Sequence, residues 1–141
     1  MRTAMLDKPR SACSAYRLTA PAIPATTRLA RDFVRGILAP DHSPALVEAA
    51  RICVSDAVTH VVAHATADHL HMDIHLLRPR LLIAVLDDDR TGVFQRHETP
   101  PEAKGLMLIR RLSAASGITW KWDPHHRVGS RRVWFELRTS D

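Results

Sequence analysis

Residues 69–77 alternate strictly, with Leu70, Met72, Ile74 and Leu76 on one side and His69, His71, Asp73 and His75 on the other. A period of two marks a strand with one buried face, and strands of that kind belong to antiparallel sheets. Arg78-Pro79-Arg80 turns the chain, and residues 81–86 form an unbroken apolar run bounded by acids, which predicts a central strand. Asp87, Asp88 and Asp89 stand at its exit. Upstream, Tyr16, Leu18 and Ala20 alternate within residues 14–23, and Pro21 and Pro24 confine that segment to a sheet edge. Residues 118–122 and 131–138 predict a closing hairpin with residues 123–130 as its long turn.

Between these strands the period changes to that of a helix. Leu29, Phe33, Val34 and Ile37 share a face after a cap at Thr26 or Thr27, and Pro40 ends the segment. Ser43 is placed as an N-cap with Pro44 at the first helical position, opening a helix to about residue 65 along Leu46, Ala49, Ala50, Cys53, Ala57 and Val61. After an unpatterned loop at residues 90–101, residues 102–116 predict a third helix that buries Leu106, Ile109, Leu112 and Ala115 and stops at Gly117. The order of elements predicts an α+β, two-layer α/β sandwich, with helices on one face of a mixed sheet. Residues 1–13 read as a loose leader and residues 14–141 as one domain.

Composition agrees with that picture. The 141 residues are 45% apolar, 25% charged and 5% aromatic, enough for one core that needs no disulfide or metal. This excludes a multidomain enzyme and a natively disordered chain. Cys13 and Cys53 are the only thiols, and Cys53 sits in an apolar run as a small hydrophobe. No apolar stretch nears the roughly 20 residues of a membrane span, and Asp7, Lys8 and Arg10 interrupt the place of a signal core, so the expectation is a cytoplasmic protein with no membrane partner. The formal charge of +5 favours anionic partners. Arg110, Arg111, Lys121, Arg131 and Arg132 are dispersed along the chain without interleaved aromatics, which weighs against nucleic acid.

Candidate chemistry begins on the second helix, where Asp56, His60 and His64 recur every four residues along one side. Two turns separate Asp56 from His64 by roughly 12 Å, so only an adjacent pair could share one ion, with Asp87 as a further ligand from elsewhere. A metal-dependent binding module using His60 and His64 is therefore one reading; polar residues lining the wet side of the helix is the simpler one. His69, His71 and His75 are expected to face solvent, and Trp120, Trp122 and Trp134 to sit in the core of the closing strands.

Taken together these pieces resemble the GHKL, or Bergerat-fold, ATP-binding superfamily, in particular the small bacterial anti-sigma-factor serine kinases. The resemblance runs from about residue 26 to the C-terminus. That family carries a helix segment like S-E-L-V-T-N-A-V-x-H-A, matched here by Ser55-Asp56-Ala57-Val58-Thr59-His60-Val61-Val62-Ala63-His64-Ala65. An Asp at a central strand exit that holds the adenine amino group is matched by Asp87. A G-x-G-L segment whose amides meet the phosphates is matched by Ala103-Lys104-Gly105-Leu106, and a G-x-x-x-V-W segment by Gly129-Ser130-Arg131-Arg132-Val133-Trp134.

By this resemblance the fold is Bergerat-type, the cofactors are ATP and Mg²⁺, and Asp87, Lys104, Gly105, Leu106 and Gly129 bind the nucleotide. Asp56 takes the place of the family's catalytic base, and His60 that of its metal ligand. Three positions depart from the pattern, all on the phosphate side. His60 replaces an Asn, although Mg²⁺ prefers hard oxygen ligands to imidazole nitrogen. Asp56 replaces a Glu, withdrawing the carboxylate by a methylene, and a misplacement of about 1 Å can cost on the order of 10²-fold in rate. Ala103 replaces a Gly and adds a Cβ near the phosphates. The expectation is an anti-sigma-factor-like regulator acting through protein binding, with ATP binding and serine kinase activity weakened or lost. The alternative is an active serine/threonine protein kinase that phosphorylates an anti-sigma antagonist. Implied partners are a sigma factor, such an antagonist, another transcriptional regulator, or a second copy in a homodimer.

Overall fold

A computed structural model describes residues 13–64, 67–89, 106–123 and 128–139. Among them the order is β1 (Ser14–Pro21), α1 (Thr26–Leu38), α2 (Pro44–His64), β2 (His69–Leu77), β3 (Arg80–Asp89), α3 (Met107–Leu112), β4 (Ala115–Asp123) and β5 (Val128–Arg138). The strands form one sheet in the order β1-β2-β3-β5-β4. Every pairing is antiparallel, so the expected mixed sheet is corrected to an antiparallel one. The reason is topological: β2 turns directly into β3, β4 into β5, and the longer connections return β1 and β5 in the opposing sense. The architecture is α+β in two layers.

The alternating pattern of β2 does what its period requires. Leu70, Met72, Ile74 and Leu76 are buried against the helices, and β3, third of the five strands, adds Leu81, Ile83 and Val85. From β5 come Val133, Phe135 and Leu137. Each such side chain contributes about 1.5–3 kcal/mol by leaving water, which makes this layer the principal source of stability. The helix α2 closes it from above. Its Ser43 cap forms as the sequence predicts, the Leu46 amide donating to Ser43 Oγ at 3.2 Å. Val47, Ala50, Cys53, Val54, Ala57, Val58 and Val61 are all buried, because α2 lies between α1 on one side and β3 and β5 below.

Other expectations are corrected. β1 is an edge strand but stops at Pro21, and no threonine side chain caps α1; Thr26 instead donates its hydroxyl to the Pro21 carbonyl at 2.6 Å. The buried line of α1 is Thr26, Ala30, Val34 and Leu38, with Phe33 and Ile37 beside it and Leu29 exposed. The third helix is one and a half turns rather than four. Its Leu112 is exposed, and Ala115 already belongs to β4. Gly117 does not end a helix: it lies within β4 opposite Trp134, where an added Cβ would come within 3.1 Å of the indole. Trp134 is half-buried on the sheet face turned away from the helices, not in the core. The Trp120 and Trp122 side chains, the 90–101 loop and residues 1–12 lie outside the described residues.

Among the described residues no helix is long and apolar enough to cross a membrane.

Candidate functional site

The polar line Asp56, His60, His64 was expected on the wet side of α2, and the structure corrects this. His60 is 5% exposed and Asp56 half-buried, because the line points toward α3 and the end of the sheet. His60 follows Cys53 and Ala57 along the same helical line, which is the signal that places it inside.

Asp56 is engaged by the backbone. One of its carboxylate oxygens accepts the Ile109 amide at 3.2 Å, in the first turn of α3, and the Leu108 amide also acts on it. The carboxylate thus serves as a cap supplied from another helix, the Leu106 cap position having no side-chain bond of its own. Burial nevertheless pushes the Asp56 carboxyl above its ordinary range, with the two amides pulling it back. The same burial pushes Cys53 up to about 12, with the Asp56 charge adding to it, so that thiol is an inert part of the core.

One turn further on, the His60 and His64 rings lie with centroids 4.7 Å apart. Burial, with smaller contributions from the charges of His64 and Arg131, lowers the His60 pKa to about 4, so His60 is a neutral imidazole near neutral pH. Arg131 comes from β5. It sits directly across the ladder from Asp87, at the exit of β3, and its Nη2 approaches Asp87 Oδ2 at 3.5 Å. Both side chains are almost fully enclosed, 3% exposed for Asp87 and 7% for Arg131. Sequence reasoning missed Arg131, although its parity with Val133, Phe135 and Leu137 already assigns it to the helix-facing side.

The structure therefore brings Asp56, His60, His64, Asp87 and Arg131 to one end of the two-layer sandwich. Of the other expected nucleotide residues, Leu106 is buried within the core cluster and Gly129 pairs through its backbone with Asp89 and Trp122. Lys104 and Gly105, with Ala103, lie outside the described residues. Among the described residues no group of three or more His, Cys, Asp or Glu could hold a metal ion. The chemistry of the donors agrees: His60 and His64 offer nitrogen, and the nearest carboxylate on their helix accepts backbone amides.

No model of a known protein family matches the chain, and no curated protein matches it.

Proposed function

We propose that the chain is a cytoplasmic regulator resembling the anti-sigma-factor branch of the Bergerat-fold superfamily, controlling transcription by binding a protein partner, with ATP binding and serine kinase activity weakened or lost. One observation carries the loss of chemistry: the residue in the position of the catalytic base, Asp56, is occupied with the α3 amide of Ile109. A base must reach the proton it abstracts, and a carboxylate holding two helix amides is already spoken for. The residue in the adenine-holding position, Asp87, is likewise opposed by the Arg131 guanidinium. A nucleotide would have to compete with this internal cation for the same carboxylate. The partner is a sigma factor, an antagonist of anti-sigma factors, another transcriptional regulator or a second copy of the chain.

Calorimetric and thermal-shift titrations with ATP, with and without Mg²⁺, test this reading. The expected result is no Mg²⁺-dependent stabilisation and no phosphate transfer from labelled ATP to any protein that co-purifies with the chain. Tight Mg²⁺-dependent binding with transfer to a serine would establish the active kinase instead. A zinc-dependent shift abolished by His60→Ala would establish the metal-binding module.

A further inference from the structure

The sheet face turned away from the helices gathers cations that the sequence keeps far apart. Even-numbered residues of β3 and β5 share this face, and register sets Leu86 against Arg132 and Arg80 against Arg138. At the β1 side Arg17 lies beside Asp73 and is tied to it at 2.6 Å. Arg17, Arg80, Arg132 and Arg138 are exposed there, against the carboxylates of Asp73 and Glu136, so the described side chains of this face carry a positive surplus.

Between the cations runs an apolar strip made by the partly exposed Leu82 and Leu86 of β3 and Trp134 of β5, with Ala84, opposite Trp134, buried. Trp134 does not stand off the sheet. Its Cζ2, Nε1 and Cε2 atoms lie 3.1–3.2 Å from where a Cβ on Gly117 would be, so the indole leans over the glycine across the ladder while staying partly exposed. Arg132 projects from the same side of β5 two residues before it, about 6.7 Å along the strand.

The charge selects the occupant. A second copy would bring the same positive surplus against itself, which disfavours self-association through this face. An anionic chain carrying flat apolar rings matches both the arginines and the reclined indole. We infer that the open face of the sheet is a docking surface for single-stranded nucleic acid, with phosphates at the arginines and a base stacked on Trp134. This goes beyond the proposed regulatory role and is independent of it, since the polar cluster of α2, β3 and β5 lies on the other side of the sheet.

Fluorescence anisotropy of the full chain with labelled oligouridylate and oligodeoxythymidylate of about twelve nucleotides tests the inference. Binding is expected at low salt, weakening linearly on a log–log plot as salt rises. Arg132→Ser is expected to reduce the salt slope by about one. Trp134→Leu is expected to weaken binding about tenfold. Removing twice the charge of Arg132 from the helix side, with Arg28→Ser and Arg35→Ser together, is expected to change affinity less than about twofold, those groups lying across the molecule. No binding at low salt overturns the inference, as does an equal loss with the helix-side pair, or equally tight binding of polyglutamate, which would indicate an acidic protein instead. Should Trp134→Leu fail to fold by thermal melting, the Arg132→Ser slope decides alone.

Discussion

Asp87 and Arg131 form a buried pair whose worth lies in its being complete. Taking two charges out of water is expensive, and each is tolerable because the other is 3.5 Å away. Asp87→Ala is therefore expected to cost about 3–5 kcal/mol in urea unfolding, because it takes the carboxylate away from a buried guanidinium. The double variant Asp87→Leu with Arg131→Met is expected to recover most of that loss. A double variant as unstable as the single one would show that the pair supplies net attraction rather than mutual neutralisation.

His60 makes stability depend on pH, and the sign follows from its depressed pKa. The unfolded chain takes up the imidazole proton near 6.5, the folded chain only near 4, so acid favours unfolding across that window. Folding is expected to weaken by at most about 1.4 kcal/mol for each pH unit between those limits, with no further loss from this residue below them. Asp56 acts in the opposite sense: its carboxyl is held above the ordinary 3.8, so taking up a proton favours the folded chain at the acid end. His60→Asn should flatten the profile between the two His60 limits. Urea midpoints collected across the range check this, and an unaltered slope in the variant would assign the dependence elsewhere.

At the scale of elements, α3 is too short to hold itself in water, and Asp56 of α2 supplies the acceptor that its own cap lacks. Asp56→Ala is expected to cost about 1–2 kcal/mol and to speed amide exchange at Ile109, whereas Asp56→Asn, which keeps an oxygen in place, should cost less. Equal losses for the two variants would mean that the charge matters more than the hydrogen bond. The β4–β5 ladder has a comparable dependence at Gly117. A branched side chain there would drive the indole of Trp134 from its position, so Gly117→Val is expected to destabilise by about 1–3 kcal/mol and to alter the near-ultraviolet circular dichroism.

Elements whose signal is local were readable in the sequence. The alternation of β2, the apolar run of β3 and the Ser43-Pro44 start of α2 all emerge where period and capping chemistry place them. What escaped depends on residues distant in the chain. Asp56 meets an amide 53 positions away, Gly117 is required by a tryptophan on the next strand, and Arg131 enters the interior because β5 lies beside β3. The sense of the sheet escaped for the same reason, since nothing local records how β5 returns.

For the molecule as a whole, the strand order sets a gradient of security. β3 has a neighbour on both sides, while β1 has one, and its tie to β2 spans 56 residues between Arg17 and Asp73. Closing so long a connection is entropically costly, and of β1 only Ala20 is fully buried. Native-state hydrogen exchange is therefore expected to be fastest in β1 and slowest in β3. If β1 exchanged only with global unfolding, the gradient would not exist.

The one-sided placement of the helices makes the two surfaces of the sheet unequal in what they tolerate. Residues beneath α2 answer to volume and polarity at once, whereas those on the other face, the Gly117–Trp134 contact apart, answer to neither strongly. Chemical change in this protein is therefore cheapest on the bare side, and new binding specificities can accumulate there while the interior stays as it is.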